Sequence, residues 1–85
     1  MFSTYILYSA TIQKYYTGHS EDLMERLQRH NAGESASTKS GIPWELVWES
    51  RSTTRSEAVL LENKIKKRSA KRFLEDNRAK DEQPV

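Results

Sequence analysis

The stretch that most constrains this chain spans residues 5–31, where the pattern of apolar side chains changes from the period of a strand to that of a helix. Residues 4–9, with Tyr5-Ile6-Leu7-Tyr8 at their centre, are β-branched and aromatic without a breaker and read as a strand. Residues 9–14 form a polar connector of hairpin length, and residues 14–17 read as a second strand closed by Gly18. With Tyr8 opposite Gln13, Tyr5 falls opposite Tyr16. The two rings then share one face of the sheet and Tyr15 points the other way. Ser20 supplies a hydroxyl N-cap, and Glu21 and Asp22 suit the first turn of a helix. In that helix Leu23 and Leu27 form the buried stripe. Arg26 and His30 make a second i, i+4 row at the core boundary, and Asn31-Ala32-Gly33 ends it.

The rest of the chain adds a strand and two helices. Residues 32–43 form a Ser/Thr/Gly/Lys-rich loop, long for so short a chain. Residues 44–50 alternate, with Trp44, Leu46 and Trp48 expected on one face and Glu45, Val47 and Glu49 on the other. Both tryptophans read as core or sheet-covering residues; the alternative, a base-stacking role, requires them exposed. Thr54-Arg55-Ser56-Glu57 matches a capping box and opens a helix whose apolar stripe is Ala58, Leu61 and Ile65. Glu62 belongs to the same inward side, where a carboxylate is costly unless it is paired or binds a cation. Ser69 is expected to break this helix and cap a third, from 70 to about 77, docked by Phe73 and Leu74. The expected organisation is one α+β domain over 1–77, in the order β-β-α-β-α-α, and a frayed charged tail over 78–85.

Composition narrows the functional classes. Eighty-five residues allow one small core and no separate recognition module. The absence of cysteine excludes disulfides and thiolate metal sites. No apolar run approaches the roughly 18 residues of a membrane span, and the N-terminus lacks the pattern of a secretory signal, so no membrane role and a cytoplasmic location are expected. The net charge is only +2, yet Lys64, Lys66, Lys67, Arg68, Lys71 and Arg72 cluster on one stretch. That cluster suits phosphate contacts, and equally a solvated helix face. His19 and His30 are too few, and lack carboxylates at the right spacing, for a zinc site.

The ordered set of residues resembles the GIY-YIG nuclease superfamily, in particular its small single-domain bacterial members of excinuclease-subunit-C-like or UPF0213 type. Tyr16-Thr17-Gly18 stands where that family has Tyr-Ile-Gly. Ser3-Thr4-Tyr5 stands where it has Gly-Ile-Tyr, and only the tyrosine agrees. Asp22-Leu23, Arg26-Leu27, His30-Asn31 and Gly33 follow with the spacing of the family's first helix. Pro43-Trp44-Glu45-Leu46-Val47, Ser56-Glu57-Ala58, Glu62 and Ile65-Lys66-Lys67 continue the match to about residue 74.

The resemblance implies a three-stranded antiparallel sheet flanked by helices and a one-metal site for DNA phosphodiester hydrolysis. It makes Tyr16 the general base or water activator, with Tyr5 beside it. Arg26 holds the scissile phosphate, His30 orients the water or the tyrosine, and Glu62 is the single protein ligand of Mg²⁺ or Mn²⁺. His19, Lys39, Lys66 and Lys67 are expected to contact substrate, and Asn77 is a weaker late candidate. A phenol with a pKa near 10 needs cations nearby to act as a base at neutral pH, and Arg26 and the metal supply them. Without the family context the tyrosines read equally as sheet aromatics, and Arg26 with Glu62 as a structural ion pair. The function classes are therefore a DNA endonuclease of repair or recombination, a catalytically silent nucleic-acid-binding subunit, and an interaction domain. The expected partners are DNA, branched or damaged, and a protein partner or second copy.

Overall fold

β1 (Phe2–Ser9), β2 (Lys14–Ser20), α1 (Leu23–Asn31), β3 (Trp44–Ser52), α2 (Arg55–Arg68) and α3 (Ala70–Glu82) succeed one another in the expected order in the computed structural model, which describes residues 1–82. The strands form one antiparallel sheet in the order β2-β1-β3, so β1 is central and β2 lies at an edge. The central place suits the most apolar strand, because its two faces are both covered. Tyr5 and Leu7 face α1 in a core with Leu23 and Trp44, while Thr4 and Ile6 face α2. There the Thr4 hydroxyl donates 3.0 Å to the Ala58 carbonyl, tying the helix to the sheet. α3 adds Phe73 edge-on to Trp48, ring centroids 4.9 Å apart. Among the described residues no helix is long and apolar enough to cross a membrane.

The hairpin register differs from the expected one by two residues. Tyr8 lies opposite Tyr15, Leu7 opposite Tyr16 and Tyr5 opposite Gly18. A shift of two keeps every side chain on its face. Tyr5 and Tyr16 therefore do share a face, now as diagonal neighbours with centroids 6.4 Å apart, and Tyr15 packs on Tyr8 on the other side at 4.8 Å. β2 also continues through Gly18 and His19 to Ser20, which pairs with Ser3. Gly18 is thus a strand residue rather than its end. The N-cap of α1 moves accordingly from Ser20 to Asp22, whose carboxylate accepts from the Glu25 amide at 3.1 Å. Gly33 (φ +78°) closes α1, where a left-handed backbone favours glycine.

β3 departs from the expected alternation. Ile6 pairs with Trp48 and Leu7 with Leu46, so Val47 is an extra residue in a β-bulge. Trp44 and Leu46 stay on the α1 face, but the bulge sends Trp48 to the opposite face, against α3. α2 starts as expected at Thr54, whose hydroxyl accepts from the Glu57 amide at 3.2 Å. Ser69 ends α2 at φ +83°, and its hydroxyl accepts from the Arg72 amide at the start of α3. α3 itself runs to Glu82, beyond the expected end near Asn77. The last part of the expected tail, 83–85, lies outside the described residues.

Asn31 joins the two chain halves. Its Nδ2 donates to the Trp44 carbonyl at 3.1 Å and its Oδ1 accepts from the Trp44 amide at 2.6 Å, so the end of α1 acts as a pairing partner for the first residue of β3. Asn31→Ala is expected to lower stability by about 2 kcal/mol, since it orphans both groups of a buried residue. Asn31→Asp should cost at least as much, because it sets a carboxylate oxygen against the carbonyl. Urea unfolding of the three proteins checks both.

Candidate active site

The site is built on the close approach of Tyr5 to Gly18. The Tyr5 ring leaves the central strand and passes beneath the edge strand at the one position with no side chain. A Cβ on Gly18 would meet the Tyr5 hydroxyl at 2.8 Å and its ring at 3.0 Å. Tyr5 is 1% exposed, and its hydroxyl faces His30 Nε2 at 3.5 Å. Burial first, and then Tyr16, raise the phenol well above its ordinary pKa. Arg26 lowers it and Glu62 raises it by smaller amounts. Tyr5 therefore stays protonated and acts as a donor. Those same influences put Tyr16, the Arg26 guanidinium and the Glu62 carboxylate all within electrostatic reach of one phenol.

His30 is 3% exposed although it sits on α1 one turn from the exposed Arg26. Its Nδ1 lies 2.9 Å from the Thr38 hydroxyl, which itself donates to the Ser35 carbonyl. The Thr38 oxygen is thus left to accept, which assigns the proton to His30 Nδ1 and leaves Nε2 as the acceptor for Tyr5. Burial, and secondarily Arg26, lower the pKa of His30, so the imidazole is neutral at neutral pH. Its ring meets Tyr16 edge-on with centroids 4.8 Å apart. Tyr16 is half-buried and shares an open cleft with Arg26 and His30. The Arg26 guanidinium makes no hydrogen bond or ion pair with any described residue.

Glu62 approaches from the other sheet face. Its Oε1 lies 2.5 Å from His19 Nδ1 and its Oε2 2.6 Å from the Lys66 ammonium. Burial alone would raise the carboxyl, but the hydrogen bonds and charges of Lys66 and His19 outweigh it and hold Glu62 below the usual carboxylate range. The group is ionised, and both of its oxygens are engaged. The five residues Tyr5, Tyr16, Arg26, His30 and Glu62 therefore gather about the edge of β2. Arg26 and His30 stand on the α1 side and Glu62 and His19 on the α2 side.

The remaining expected contacts are placed less uniformly. Lys66 borders a cleft with Tyr16, in addition to holding Glu62. Lys39 lies beside Gly33 and lines none of the clefts that hold Tyr16, Arg26 or His19. Lys67 is exposed on α2 and likewise lines none of them. Asn77 donates to the Phe73 carbonyl and lines a cleft with Tyr8 and Trp48, on the α3 side of the sheet. The support of His30 by Thr38 was not legible, because nothing in a Ser/Thr-rich loop distinguishes the one hydroxyl that folds back. The Glu62–Lys66 pair did carry a signal, since a Glu four residues before a Lys on a helix is a favoured pairing.

The order and number of the strands and helices agree with what comparison with known proteins finds. Residues 1–76 match the GIY-YIG catalytic domain, and the chain belongs to this nuclease family. Two curated proteins from Staphylococcus epidermidis strains, each named UPF0213 protein, are 44% identical over 52 residues, which is 60% of this chain. The match spans 63% of the length of each relative. No solved structure matches.

Two outcomes follow from the geometry. Gly18→Ala should destabilise the fold by about 1–3 kcal/mol, because the new methyl group overlaps a buried, immobile ring. Thermal unfolding measures this. His30 is held neutral in the folded state with its pKa depressed, so its contribution is complete above the unfolded value near 6.5 and is lost as pH falls through the folded value. Stability should therefore decline below about pH 6.5, by no more than about 1.4 kcal/mol per pH unit for one proton. In His30→Gln the decline over that range should flatten, as denaturant midpoints at several pH values would reveal.

Proposed function

We propose that this domain is a divalent-metal-dependent endonuclease that hydrolyses DNA phosphodiester bonds, in repair or recombination in the cytoplasm. The observation that carries this reading is the gathering of Tyr16, Arg26, His30 and Glu62 about one protonated phenol, Tyr5. Arg26, free of any described partner, offers its planar fork to the two oxygens of the scissile phosphate. The Tyr16 oxygen, beside Arg26, gives up its own proton to solvent and takes the proton of the attacking water. The water oxygen bonds to phosphorus as the phosphorus–oxygen bond to the leaving sugar breaks, and the departing oxygen takes a proton from solvent. His30, neutral and locked by Thr38, fixes the ring of Tyr16 from the side, while Tyr5 keeps its proton and holds His30 Nε2.

Glu62 would hold the metal. Among the described residues no group of three or more His, Cys, Asp or Glu is arranged to bind an ion. A lone ionised carboxylate, completed by waters and phosphate oxygens, is a donor set that Mg²⁺ or Mn²⁺ accepts. The residues fit, provided that Lys66, which is exposed and able to swing, yields Glu62 Oε2. The bound ion would stabilise negative charge on the phosphate and the departing oxygen. His19 keeps its hold on the other oxygen and fixes the carboxylate. The full engagement of Glu62 by His19 and Lys66 also favours a second reading, a silent nucleic-acid-binding subunit working with a partner protein or a second copy.

Supercoiled and branched DNA incubated with Mg²⁺ or Mn²⁺ distinguishes the two. The parent should nick, chelation should stop it, and Tyr16→Phe and Glu62→Gln should each slow it at least about 100-fold. Salt-sensitive DNA binding without nicking would support the silent module, and no binding at low salt would overturn both readings.

A further inference from the structure

Tyr16 stands at a junction. On one side it lines the cleft with Arg26 and His30; on the other it lines a cleft of about 420 Å³ at the outer edge of β2, shared with Tyr15, Lys66, Ser69 and Lys71. The second cleft has three properties that the first lacks. Among the described residues no carboxylate lines it. It holds two ammonium groups: that of Lys66 is engaged by Glu62, and that of Lys71 makes no hydrogen bond or ion pair with any described residue. Its aromatic, Tyr15, is 38% exposed, yet its ring is steadied by Tyr8 behind it, at 4.8 Å and 48°. Among the described residues no strand pairs with this edge of β2 to block access. The third helix, which contributes Lys71, is set beside the edge by the turn at Ser69.

We propose that this cleft is a subsite for an unpaired DNA strand flanking the scissile phosphate, with Lys71 on a backbone phosphate and Tyr15 stacked against one base. An ammonium without a described partner favours a polyanion, and an exposed, fixed aromatic beside it is the arrangement that binds single strands. The strand is unpaired because a ring can stack on a base face only where the base has left its own stack. Its continuity with Tyr16 makes the occupant the stretch next to the bond being cut. The subsite rests on the nuclease reading of the adjacent site and narrows its substrate to DNA with a single-stranded arm at the cleavage point.

Binding in chelator, where no cleavage takes place, tests the subsite apart from the chemistry. Fluorescence anisotropy would compare a blunt duplex with the same duplex bearing a single-stranded arm. The parent should bind the armed duplex more tightly. Tyr15→Leu should weaken armed binding about tenfold and leave blunt binding unchanged, while Tyr15→Phe retains the preference. Lys71→Ala, an exposed position that does not bear on folding, should reduce the salt slope on the armed duplex by about 1, whereas Arg51→Ala, the same charge removed from β3, should leave the arm preference intact. Equal binding of the two duplexes by the parent overturns the subsite. So does an arm preference unchanged in both Lys71→Ala and Tyr15→Leu. A parallel nicking assay with Mn²⁺ separates the readings: arm preference without nicking removes the cleavage reading alone, and nicking without arm preference removes the subsite alone.

Discussion

The passage of the Tyr5 ring beneath Gly18 is the contact on which the rest of the molecule depends. It requires a central strand that delivers a large side chain toward its neighbour and an edge strand that yields at one position. The ring fills core space against Leu7, Leu23 and Trp44, so packing fixes it. Its hydroxyl nevertheless meets a histidine rather than an aliphatic chain. From there the order is relayed outward: His30 is held by Thr38, and the Thr38 carbonyl accepts the indole N–H of Trp44 at 2.7 Å. Trp44 in turn is held by Asn31, next to His30 on the same helix. The polar groups of the site and the apolar residues of the core thus form one closed circuit, and no member of it can be loosened alone.

Charge is distributed about this circuit by topology. Arg26 and His30 reach the edge strand from the helix on one face, and Glu62 from the helix on the other, so a cation and an anion stand on opposite sides of the same strand. An Arg26–Glu62 ion pair does not form. Glu62 is held instead by His19 and Lys66, and Arg26 is left without a described partner. A structural ion pair would have hidden both charges, whereas this separation leaves the guanidinium available to an anion while keeping the carboxylate ionised.

The elements of the fold were legible because each carries local signals. β1 is an unbroken apolar run, α2 has its cap at Thr54, and the end of α1 has a glycine in the left-handed region. Side-chain facing in the hairpin was legible as well, even though the register was off by two, because parity rather than exact pairing decides the face. What escaped were features set by tertiary contact. The length of β2 past Gly18 reflects room for the Tyr5 ring, and the bulge at Val47 reflects the differing demands of two helical layers on one strand. Of the site, Tyr16, Arg26, His30 and Glu62 were legible only as an ordered set resembling a family. The engagement of Glu62 by His19 was not, since it spans 43 residues and pairs two elements with no shared pattern.

The bulge in β3 has a consequence for how this sequence can drift. The extra residue at Val47 lets a single strand send one tryptophan into each of two layers. Everything from Trp48 onward is therefore read in a different frame from what precedes it. Loss of Val47 itself would leave both faces as they are, because Leu46 and Trp48 would then alternate as Leu7 and Ile6 do; a regular strand of the present length would instead turn Trp48 to the α1 face and drive Glu49, now bonded to the Ser3 hydroxyl, toward α2. The middle of β3 is thus the place where descendants of this chain can lose one residue and still keep each tryptophan in its own layer.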